Sequence, residues 1–318
     1  MDEENSLVYL GHVLDKNGGN LKNIFHKKNK SIGTQKIIPK LIKNLGKFTF
    51  EGAIIYIQSL IRTSIRYSSE TMFNIKEKEY RELEVIEESV LQKSFKTLRS
   101  CSKHLLYLES GMIPARYQIH RQMLNYLQYI LILPSNSLMA RVFVAKQKTP
   151  TKGDWVSNIT KLLNDYNMEI SFLEVKNMKE GLYKSLVKRK VHEKAFKDLI
   201  HKKNMGQKGK NINYEKLEMA HYLLAKSKNS VQKKVEIFAY RCEMNNLPFN
   251  FGNKTNCEQG CPTEMNNEHL LNCPKLNQHK EKTDINLILN GTNIEKLNTL
   301  KKLNKNSTIR TQLLMDSV

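Results

Sequence analysis

The sequence predicts a mainly α fold, and three observations point there. Prolines and glycines are sparse, at seven and fourteen in 318 residues. Several long stretches repeat apolar residues at the helical period. Only one short stretch near the start reads as extended.

The elements follow in chain order. "LVYLGHVLD" reads as a short extended segment, and "KNGGN" after it as a turn. "FEGAIIYIQSLIRTSI" sets Phe50, Ala53, Ile54, Ile57, Leu60, Ile61 and Ile65 on one helical face. "EYRELEVIEESVLQKSFKTL" does the same with Tyr80, Leu83, Ile86, Val90, Leu91 and Phe95. "IPARYQIHRQMLNYLQYIL" carries Pro114 near its first turn, a favoured place for proline. Its apolar face is Tyr117, Met123, Leu124, Leu127, Ile130 and Leu131. Further helices are predicted near 155–166, 178–201, 214–226 and 229–244. Breaks fall near 99–104, 147–153, 204–213 and 248–256. The tail from 278 is rich in Lys and Asn, and its composition fits a weak helix or a disordered segment. No internal repeat is present.

The formal net charge is +21. Such an excess favours a polyanionic partner, nucleic acid first and an anionic membrane surface second. No stretch approaches the ~18 consecutive apolar residues of a membrane span. The acidic, apolar-poor start "MDEENSLVYLGH" is no signal peptide. Of five cysteines, three cluster while Cys101 and Cys242 stand alone. That usage suits a reducing, intracellular compartment.

The cluster is "TNCEQGCPTEMNNEHLLNCP". Cys257 and Cys261 flank a glycine-containing loop, so two thiolates can turn onto one ion. His269 and Cys273 are four apart and share a face of one helical turn. Two thiolate and imidazole-bearing pairs make a four-ligand set for one structural zinc. The alternative is that reduced cysteines lie close by chance. Zinc would decide folding there, since few apolar residues surround the cluster.

A second feature is "KSLVKRKVHEKAFKDLIHKK". Leu186, Val187, Val191, Phe196, Leu199 and Ile200 form a seam. Lys184, Lys188, Arg189, Lys190, Lys194 and Lys197, with Lys202 and Lys203, surround it. Such a helix docks through its seam and offers cations to phosphates. A solvated helix face and a membrane-surface helix are alternatives, the latter weakened by the lack of tryptophan. Tyr126, Tyr129 and Trp155 are candidates for stacking on bases or for core packing.

The sequence holds no Gly-rich phosphate loop, no HExxH, no Gly-x-Ser-x-Gly and no two adjacent aspartates. No catalytic residue is assigned. Metal-dependent polymerases and nucleases need clustered carboxylates. The glutamates of 77–88 read instead as surface ion pairs with neighbouring cations.

"YLGHVLDKNG", "RTSIRYSSETMF", "LLYLESGMIPARYQIHRQMLNYLQYIL", "KGDW" and "CEQGCPTEMNNEHLLNC", in this order, resemble the C-terminal part of non-LTR (LINE-like) retrotransposon reverse transcriptases. The resemblance runs from Tyr9 to Cys273. It implies a palm-end strand in 1–15, a thumb-like helical domain in 16–100, a helical connector in 101–250, a zinc knuckle in 251–277 and a tail in 278–318. It implies RNA and DNA as partners in target-primed reverse transcription, inside a nuclear or cytoplasmic ribonucleoprotein. A complete retrotransposon protein in trans is a further implied partner. The family's catalytic aspartate pair has no counterpart here, so no polymerase activity is expected of these residues alone. "RTSIRYSSETMF" departs from the family at Arg66, Ser68 and Met72, where an apolar residue, glycine and tryptophan are usual. A zinc-stabilised protein-interaction module derived from a dead element is the alternative.

Overall fold

A computed structural model describes residues 6–9, 12–15, 19–35, 50–95, 101–206, 208–209 and 212–220, and also 223, 234, 238, 239, 241, 242, 256, 261–263, 269 and 274. The described residues are mainly helical. The chain forms two compact units, Met1–Leu91 with Met112–Asp198, and Gln92–Gly111 with Leu199–Val318. The first therefore takes in parts of both the segment to 100 and the segment from 101.

In the first unit the extended start is a hairpin. Strands β1 (Ser6–Tyr9) and β2 (His12–Asp15) pair antiparallel, with Tyr9 opposite His12 and Ser6 opposite Asp15. Helix α1 (Leu21–Gln35) holds it: Asn23 Oδ1 accepts from Val13 N, and Lys22 pairs with Asp15.

Helix α2 (Phe50–Tyr56) runs through a π-helical turn, Ile57–Ile61, into α3 (Arg62–Arg66). The wider turn shifts the helical face. Ile57, Ile61 and Ile65 stay buried, but Leu60, expected on that face, is 45% exposed. Arg62 goes inside instead.

A 3₁₀ turn, Ser69–Thr71, follows, entered through Ser68 in the left-handed region at φ 56°. Glycine adopts that conformation without the Cβ clash, so serine carries backbone strain here. Met72 fills a core position and is 1% exposed.

Helix α4 (Glu77–Phe95) buries Leu83, Ile86, Val90 and Leu91 as its period predicts. Not all of its glutamates lie on a solvated surface: Glu77 is exposed, but others go inside. Glu84, Glu87 and Glu88 are all buried. Each is met by an arginine: Glu84 and Glu77 by Arg116, Glu87 by Arg62, Glu88 by Arg81. Burial lowers the Arg116 guanidinium's pKa, but the hydrogen bonds to Glu84 and Glu77 outweigh it and raise it overall.

Helix α6 (Ala115–Ile132) is the centre of this unit and begins after Pro114. It touches α3, the 3₁₀ turn, α7 (Leu138–Lys148), α8 (Trp155–Asp165) and α9 (Phe172–Asn177). Gln128 donates to the carbonyls of Val175 and Met178, closing the end of α9. "KGDW" is a turn-and-cap device. Gly153 takes φ 85°, Asp154 caps α8 by accepting from Ser157 N at 2.7 Å, and Trp155 Nε1 donates to Glu70 O at 2.9 Å.

The second unit contains α5 (Lys103–Ser110), which ends on Gly111 in the left-handed region, φ 68°. Residues 214–220, expected to begin a helix, are irregular. Met219 makes a bridge to Ser110, and Ala220 N donates to Glu109 O. Tyr214 Oη donates to the buried Glu109 carboxylate at 2.5 Å, and Arg241 pairs with it at 2.8 Å. Those contacts override the helical period over 214–220, while Leu223 is helical. Residues 234, 238, 239 and 241 are helical. Cys101 and Cys242, solitary in sequence, meet here: burial raises the Cys242 thiol's pKa well above its ordinary value, and a hydrogen bond with Cys101 adds to this.

Candidate nucleic-acid interface

Helix α10 (Glu180–Met205) carries the basic stretch. Tyr183, Val187, Val191, Ala195 and Leu199 are its buried apolar residues, spaced by four. A four-residue step overshoots a full turn by about 40°, so the buried stripe winds around the helix. For this reason Leu186, Phe196 and Ile200 are half-buried rather than central to the seam. Tyr183 Oη donates to Leu124 O at 3.0 Å, anchoring α10 on α6.

The six cations predicted to meet phosphate all lie on this helix within the first unit. Lys184 pairs with Glu180, Arg189 with Glu193 at 3.9 Å, and Lys194 with Asp198 at 3.1 Å. These are exposed or part-exposed i,i+4 pairs, each worth a few tenths of a kcal/mol, so a phosphate can displace the carboxylate. Lys188 and Lys197 are exposed and Lys190 is half-buried. Among the described residues these three have no ion pair. Lys203 differs from expectation. It is buried and donates to the carbonyls of Gly209 and Ile212, so it is occupied in holding the second unit's loop.

Two cations that the sequence reading left out join this face. Arg66 ends α3, and Arg121 lies on α6. Burial lowers the pKa of Arg121, and the charges of Arg66 and Arg62 lower it further. Burial lowers that of Arg66 too, followed by the charge of Arg62, with Glu87 partly offsetting. His192 on α10 is lowered by burial, then by Arg121, Lys188 and Arg62. Arg62, Arg66, Arg121 and Lys188 thus form one group of cations beside His192, whose charged form Arg121, Lys188 and Arg62 disfavour. Glu87, which offsets the shift at Arg66, pairs with Arg62. Arg121 has no hydrogen bond or ion pair among the described residues. The signal for Arg121 was faint: an arginine on the polar side of an otherwise apolar helix.

Beside the cluster lies an open cleft of about 1050 Å³. Arg66, Ser68, Glu70 and Thr71 form one wall, Gln122, Asn125, Tyr126 and Tyr129 of α6 another, and Lys184 of α10 a third. Tyr126 and Tyr129 stack with ring centres 5.5 Å apart and planes 17° apart. Tyr126 also meets the edge of Trp155 at 5.9 Å. Trp155 is thereby committed to packing and to Glu70, whereas Tyr129 is 49% exposed.

Of the four predicted zinc ligands, Cys257 and Cys273 lie outside the described residues. Cys261 is buried, and His269 Nδ1 is 2.9 Å from Thr263 Oγ1. Among the described residues no three potential metal ligands come together. The tail from 278 also lies outside them. No helix of the described residues is long and apolar enough to cross a membrane. No family model, curated protein or solved structure matches this chain.

Proposed function

We propose that this protein binds nucleic acid through phosphate contacts, as the C-terminal thumb, connector and knuckle portion of a LINE-like reverse transcriptase. In that role it grips template RNA and the primer–template duplex during target-primed reverse transcription. The observation that carries the reading is the cation cluster of Arg66, Arg121 and Lys188 beside the exposed basic row of α10. Cations whose like charges disfavour one another's charged form, as Arg66 and Arg62 do at Arg121, are stabilised by a polyanion. A structural zinc on Cys257, Cys261, His269 and Cys273 belongs to the same reading. The Thr263 hydroxyl at His269 Nδ1 is the kind of partner that orients a ligating imidazole. With no adjacent aspartates, the chain alone extends no primer.

The test is a binding titration at several salt concentrations. Log affinity should fall with log salt by about 0.9 per phosphate neutralised on duplex DNA and about 0.7 on single strands. Changing Lys188, Arg189 and Lys190 together to Glu should weaken binding to every sequence and flatten that slope. Wild-type affinity and slope in a folded triple variant would remove the reading.

A protein-interaction module is the second reading. It is supported by α7, where Leu138, Met139, Val142 and Val144 are exposed and Leu138 is 74% so. No binding of RNA by the wild type at moderate salt would favour it.

A further inference from the structure

The cleft between the 3₁₀ turn and α6 has features that phosphate contacts alone do not use. Its aromatic pair is already stacked, so the Tyr129 ring is held in place by Tyr126, which Trp155 supports from the edge. Tyr129 nevertheless keeps about half its surface open. A ring fixed in orientation and left exposed offers a π-face at little further ordering cost. The same wall holds Asn125, whose Oδ1 is buried with no hydrogen-bond partner. An orphaned amide oxygen is costly unless something fills the site. Glu70, on the facing wall, is a second acceptor. Arg66 at the cleft's edge leads to Arg121 and Lys188.

An aromatic face, hydrogen-bonding groups and a cationic edge together suit one ligand chemistry. It must have a flat ring with polar edges joined to an anion, which is a nucleotide. Along its length a duplex hides its base faces in its own stack, and only its terminal pairs could present one to Tyr129. A single strand can.

We infer that this cleft is a base-stacking site for single-stranded nucleic acid, in which a base extends the Tyr126–Tyr129 stack while its phosphate meets Arg66. The inference rests on the nucleic-acid reading above and adds to it the form of the ligand and the residues that read it. Tyr129 supplies the face, Glu70 meets the base edge, and Arg66 holds the backbone. Stacking is tolerant of sequence because every base has a π-face.

The experiment compares the full chain with Tyr129→Ala and Tyr129→Phe. The probes are a single-stranded RNA of about twelve nucleotides, an abasic strand of the same length, and a blunt duplex of the same sequence. Wild type should prefer the RNA strand to the abasic strand. Tyr129→Ala should lose about fivefold or more on the RNA strand and nothing on the abasic strand or duplex. Tyr129→Phe should behave as wild type, because the face and not the hydroxyl is used. Tyr129 is half exposed, so the alanine variant keeps its fold, and circular dichroism checks this. If wild type binds all three probes with salt-dependent affinity but Tyr129→Ala changes none, the stacking site is wrong and the phosphate reading stands. If wild type binds no probe at low salt, both fall.

Discussion

Arg62 and Glu87 form an ion pair of 2.6 Å in which neither side chain is more than 5% exposed. The same guanidinium donates to Ile113 O at 2.5 Å, so one arginine ties α3 to α4 and to the start of α6. Removing one partner strands the other's charge inside. Arg62→Met or Glu87→Leu should each cost about 3–5 kcal/mol in urea denaturation. The double variant should lose less than the sum of the two, because no unpaired charge remains. Strictly additive losses would show that the two side chains act independently.

Two left-handed positions should respond with opposite signs. Gly111 is at φ 68°, and a Cβ there would lie 2.3 Å from Met219 N, so Gly111→Ala adds a backbone clash to conformational strain. It should destabilise by at least about 1–2 kcal/mol. Ser68 already carries that strain, and Ser68→Gly should stabilise by about 0.5–1 kcal/mol. Thermal unfolding midpoints give both signs. A lowered midpoint for Ser68→Gly would mean that the serine side chain outweighs its backbone strain.

His120 sits between two tyrosines, with Nε2 at 2.8 Å from Tyr80 Oη and Nδ1 at 2.6 Å from Tyr166 Oη. Burial, and then the charge of Arg116, lower its pKa to about 3. Its folded value thus lies below the unfolded one near 6.5, so the unfolded chain binds more protons between these limits. The contribution is intact above pH 6.5 and is lost as pH falls towards 3, by up to about 1.4 kcal/mol per pH unit. His120→Gln should remove that part of the slope. Equal slopes for wild type and variant over pH 4–6 would show that the imidazole protonates freely in the folded chain.

Metal analysis of purified protein should give one zinc per chain. Cys261→Ser should reduce it to near zero, and a chelator should do the same to wild type. The helices of the first unit should keep their circular dichroism in both cases, since the proposed ligands lie in the second. A stoichiometry near zero in wild type, unchanged by the substitution, would remove the zinc assignment.

Helix periods alone determined much of this protein. The buried faces of α4 and α6 follow from the spacing of Leu83, Ile86, Val90, Leu124, Leu127 and Ile130, because burial selects residues at that period. The basic content of α10 was equally legible, as a local density of lysine and arginine. Tertiary contacts decided the rest. The π turn displaced Leu60 from the core, and the pull of Glu109 on Tyr214 and Arg241 overrode a helix at 214–220. The burial of Glu84 and Glu87 depended on arginines 32 and 25 residues away. So did the joining of Arg66 and Arg121 to the α10 face. Period and composition are properties of neighbours along the chain. Whether a charge is buried or open is set by what the fold brings against it, at separations that no local pattern records.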